Sequence, residues 1–83
     1  MEEILLPNEG VIFKSDNLHR LDYSLVDGLV EVQLFTSKGV QQFNEYTITT
    51  YRKLGKMYLT LEQFERFLFS EMYVENAVKI NFE

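Results

Sequence analysis

The pair Asp27-Gly28 constrains this chain more than any other two residues. Asp-Gly between segments that alternate apolar and polar residues is the strongest local signal for a β-hairpin closed by a two-residue turn, because both residues tolerate φ > 0. A two-residue turn also fixes the register. Val26 faces Leu29, and the following pairs are Leu25 with Val30, Ser24 with Glu31, Tyr23 with Val32, Asp22 with Gln33 and Leu21 with Leu34. Leu25/Val30, Tyr23/Val32 and Leu21/Leu34 then form one wholly apolar face, at sites where opposing side chains touch closely. A slip of one residue would carry Glu31 and Gln33 into the core, so turn chemistry and burial select the same pairing.

Around this hairpin the remaining elements are shorter. Ile4-Leu5-Leu6 and Val11-Ile12-Phe13, separated by Pro7-Asn8-Glu9-Gly10, predict an N-terminal hairpin. Ser15-Asp16-Asn17 connects it to the long strand that starts near Leu18. Ser37-Lys38-Gly39 predicts a further turn and Tyr46 to Tyr51 a strand, with an irregular start between Gln41 and Asn44 and a break at Leu54-Gly55-Lys56. Thr60 and Gln63 form a capping box, and Leu59 with Phe64 a hydrophobic staple, at the start of an amphipathic helix near residues 61–73. Leu61, Phe64, Phe67, Leu68 and Met72 share its apolar arc. Val78, Ile80 and Phe82 alternate with polar residues in a short C-terminal strand. The expected fold class is α+β: a mainly antiparallel sheet of about five to six strands, two hairpins plus a long strand, with one helix packed on one face.

At 83 residues, roughly 60% of the unfolded surface can be buried, which supports one core and a single domain over 1–83. A hydrophobic fraction of 46% with only four Gly and one Pro excludes a disordered or collagen-like chain. The absence of cysteine removes disulfide scaffolds, thiolate zinc sites and thiol nucleophiles, and favours the cytoplasm. The first apolar stretch, Ile4 to Leu6, follows Glu2 and Glu3, unlike an export signal, and no apolar run is long enough for a membrane span.

Enzymatic chemistry has few parts to work with. His19 is the sole histidine and reads as a strand-edge residue near Thr36. Glu62, Glu65, Glu71 and Glu75 read as a solvated helix face, and the four glycines form no phosphate-binding cluster. The expectation is a non-enzymatic protein without cofactor or metal.

Surface chemistry gives three function classes. The first is a small acidic protein-binding module, an inhibitor or adaptor that occupies a basic groove of another protein, as small inhibitors from phages and mobile elements do. Thirteen carboxylates against eight Lys and Arg favour such a partner. Its candidate contacts lie on the outer face and tip of the central hairpin: Asp22, Val26, Asp27, Leu29, Glu31 and Phe35. The second class is a weak single-stranded nucleic-acid binder built on Tyr51, Arg52, Lys53, Lys56 and Tyr58, where cations adjoin flat aromatics around a turn. With three cations against a net charge of −5, nucleic acid is the weaker expectation. The third is a homo-oligomer joined through Phe69, Tyr73 or the C-terminal strand.

Overall fold

The computed structural model describes every residue from Met1 to Glu83. Its elements are β1 (Glu2–Leu6), β2 (Glu9–Phe13), β3 (His19–Val26), β4 (Leu29–Phe43), β5 (Tyr46–Leu59), α1 (Leu61–Ser70) and β6 (Val78–Phe82). The fold is α+β, with an antiparallel sheet in the order β2-β3-β4-β5 and a parallel pair β1-β6. No helix is long and apolar enough to cross a membrane.

The hairpin of β3 and β4 has the register that Asp27-Gly28 dictates, from Val26↔Leu29 to Leu21↔Leu34. Asp27 has φ 50° and Gly28 φ 79°, as this turn requires. Leu21, Tyr23, Val30 and Val32 line the inner face, and Phe64 and Leu68 of α1 with Val78 and Ile80 of β6 close the core over them. The capping box is present: the Thr60 hydroxyl accepts from the Gln63 N–H at 3.2 Å, and the Gln63 side chain accepts from the Thr60 N–H at 3.0 Å. One amphipathic helix therefore packs on one sheet face, as its periodicity requires.

Three local expectations are corrected. The first is the N-terminal hairpin. β1 pairs parallel with β6, Ile4 opposite Ile80, while β2 pairs antiparallel with β3, Ile12 opposite Leu21. Pro7-Asn8 carries the chain between the two sheets, its carbonyls accepting hydrogen bonds from the Tyr23 hydroxyl (3.1 Å) and the Leu25 N–H (2.8 Å). β2 thereby lies against the eight-residue β3, and β1 sets Ile4 beside Ile80, which is buried in the core.

The second concerns Ser37 to Lys56. No turn forms at Lys38-Gly39; β4 runs through it for 15 residues, and β5 runs through Leu54-Gly55-Lys56 for 14. Lys38 and Leu54 are absorbed as bulges, and Gln41, Gln42 and Phe43 pair regularly with Ile48, Thr47 and Tyr46. The reversal is at Asn44-Glu45, where Asn44 takes φ 49°. Asparagine is among the few non-glycine residues that adopt this conformation readily. Past His19↔Thr36, the distal ends of β4 and β5 extend as a two-stranded arm, and the molecule measures 42 × 25 × 22 Å.

The third is the helix end. The helix stops at Ser70, with Met72 at φ 64°; the Tyr73 N–H bonds the Leu68 carbonyl (2.8 Å) and the Met72 N–H bonds the Phe69 carbonyl (3.1 Å). This is a Schellman close, and it turns Met72 off the buried arc and into solvent.

Candidate functional site

On the outer sheet face, cross-strand order places Arg20, Asp22, Glu31, Gln33, Phe35, Lys53 and Lys56 side by side. Their charges are satisfied internally. Arg20 grips Asp22 through two bonds, Nε to Oδ1 at 2.7 Å and Nη2 to Oδ2 at 2.6 Å, while Lys56 meets Glu31 at 3.0 Å. These bonds raise the pKa of both Arg20 and Lys56 above their ordinary values. Phe35 is only 9% exposed, covered by the Arg20 guanidinium 4.3 Å from its ring centre. Of the six residues expected on the partner-binding surface, Val26, Asp27 and Leu29 stay exposed at the hairpin tip, with Asp27 in no ion pair. Phe35 does not offer an open apolar anchor.

The basic and aromatic segment is a strand and not a turn. With Leu54 bulged, Tyr51, Lys53, Lys56 and Tyr58 share the outer face, opposite Ser37, Phe35, Gln33 and Glu31, while Arg52 faces the other way. The Tyr51 hydroxyl donates to the Asn17 carbonyl at 2.7 Å, and its ring lies 6.1 Å from that of Phe13. Lys56 belongs to Glu31, so Lys53 and Tyr58 are the unengaged members on that face.

His19 stands opposite Thr36, as expected, with Nδ1 3.1 Å from the Asp16 carboxylate. Asp16 also accepts the Leu18 N–H at 2.8 Å, the main reason its pKa lies below the ordinary value. Glu65 has a structural partner that its helix position does not disclose: its carboxylate accepts the Ile80 N–H of β6 at 2.6 Å. No three His, Asp or Glu side chains converge as a metal-binding group.

The end of α1 brings different chemistry together. Phe69 and Met72 are exposed at a groove of about 690 Å³, lined also by Phe13, Tyr73, Val74 and Glu75. Tyr73 is half-buried there, stacked on Phe67 at 6.0 Å with Lys14 Nζ 5.0 Å from its ring centre; burial raises its pKa. Glu71 caps the helix and the last turn has no basic residue, so carboxylates adjoin the negative end of the helix dipole. Sequence reading singled out Phe69 and Tyr73 but set Met72 on the buried arc, because without a C-terminal glycine the helical period continues unbroken to residue 72.

Comparison of the chain with protein-family models, curated proteins and solved structures found no match.

Proposed function

We propose that the chain is a non-enzymatic, cytoplasmic protein-binding module, acting as an inhibitor or adaptor, and that it meets a basic surface of its partner at the end of α1. The observation that carries this reading is the exposure of Phe69 and Met72 beside Glu71 and Glu75, at a helix end whose last turn holds no basic residue and where Lys14 is engaged over the Tyr73 ring. Apolar anchors surrounded by charge are the pattern of a binding centre with a steering rim. A lysine or arginine from the partner would relieve the clustered negative charge. Asp22 and Glu31 carry less of that role, since Arg20 and Lys56 already neutralise them.

Capture from a cell lysate on the immobilised protein tests this. The expected result is recovery of a basic protein, weakened by salt and lost with both Phe69→Ser and Glu75→Lys, but retained with Asp27→Lys. Capture unaffected by the first two variants contradicts the assignment.

A further inference from the structure

The distal arm has a free edge of a definite kind. β5 is the last strand of its sheet, and from Tyr46 to Lys53 it contains neither proline nor a bulge of its own, the bulge in that part of the ladder being Lys38 of β4. Such an edge is a template for another strand unless charge or irregularity blunts it. The two-residue connection makes Phe43 and Tyr46 the closing hydrogen-bonded pair. Alternation along β5 then points the N–H and C=O of Thr47, Thr49 and Tyr51 away from β4.

We infer that this edge pairs antiparallel with the same edge of a second copy of the chain, about a two-fold axis at Thr49. In that register Thr49 faces Thr49, and Thr47 and Tyr51 of each copy face Tyr51 and Thr47 of the other. All are residues whose backbone groups point outward, giving about six interchain hydrogen bonds. Glu45 of each copy faces Lys53 of the other, and Tyr46 faces Arg52. The interface thus gains two ion pairs and two cation–aromatic contacts by symmetry.

Charge selects this axis. Moving it to Ile48 carries Lys53 past the start of the other copy's β5, with no carboxylate opposite, moving it to Thr50 sets Glu45 against Gly55, and moving it to Lys53 sets lysine against lysine. On the face carrying Tyr46 and Ile48, which are 72% and 50% exposed, the two Ile48 side chains become diagonal neighbours across the axis. Pairing also turns a two-stranded ribbon, marginal in water on its own, into a four-stranded sheet.

Sedimentation equilibrium of the full chain tests the inference, with a mass expected to rise from 9.9 kDa toward twice that value as concentration increases. Thr49→Pro removes an N–H that β4 does not use, so the monomer fold should persist while the dimer weakens at least about tenfold. Glu45→Lys and Lys53→Glu should each weaken it, and the two together should restore it. Because the chain has no cysteine, mild oxidation of Thr49→Cys should give a crosslinked dimer, the expected Cα separation of about 5.5 Å falling within disulfide reach. Thr47→Cys, displaced by four residues from its own copy, should not crosslink. A monomer at millimolar concentration overturns the inference, as does a dimer indifferent to Thr49→Pro and to the charge exchange; the latter would place the contact elsewhere, at Phe69, Tyr73 or β6.

Discussion

The ring of Tyr23 occupies the space that a side chain on Gly10 would need: a Cβ there would lie 2.8 Å from the Tyr23 hydroxyl oxygen and 3.1 Å from Cζ. The two residues face each other across β2 and β3. The same ring lies 5.7 Å from Phe64 and 6.2 Å from Phe82, and its hydroxyl bonds the Pro7 carbonyl. One side chain thus joins the sheet, the helix, the final strand and the crossing between the sheets. Gly10→Ala is expected to destabilise by about 1 to 3 kcal/mol, the scale of overpacking in a filled core. Tyr23→Phe should offset part of that loss by removing the nearest atom. Urea denaturation of both single variants and the double variant measures the coupling, and simple additivity would contradict it.

Met72 holds a conformation that glycine adopts at lower cost. Met72→Gly should raise stability by up to about 1 kcal/mol. It also removes an exposed side chain from the groove, so partner binding should weaken as the melting temperature rises. A variant that gains stability and binds unchanged would separate Met72 from the binding surface.

Gly28 and Gly39 should respond oppositely to valine. Gly28 sits at φ 79°, where a β-branched residue is strained, so Gly28→Val is expected to cost about 1 to 3 kcal/mol. Gly39 lies in extended β4 with nothing within 4 Å of an added Cβ, and Gly39→Val should be neutral or stabilising. Equal denaturation midpoints would contradict the assignment of the turns.

Most of the body was legible because burial and turn chemistry agreed on it. The β3–β4 register follows from Asp27-Gly28 and three apolar pairs, and the helix start from Thr60 and Gln63. The arm was not legible, because Lys38-Gly39 carries a turn signal that the ladder overrides by bulging, while Asn44-Glu45 carries a weaker one. The pairing of β1 with β6 joins opposite ends of the chain, which no local pattern encodes. At the candidate surface, sequence identified the carboxylates Asp22 and Glu31 but could not disclose that Arg20 and Lys56 hold them.

Burial raises the pKa of Tyr23 and Tyr73 above the ordinary value of 10.0. Both groups stabilise the fold fully below that value. As pH rises through it the unfolded chain ionises first, so stability falls until the folded values are passed. Urea midpoints should therefore decline across this alkaline range, less steeply for Tyr23→Phe and Tyr73→Phe. Unchanged steepness in both variants would contradict their assignment.

Amide hydrogen exchange on the protein with and without its captured partner tests the binding surface most directly. Added protection is expected across Phe69 to Glu75, with the hairpin tip Val26 to Leu29 unchanged. Protection confined to that tip, or to the outer face around Asp22 and Glu31, would contradict the placement of the binding surface at the end of α1.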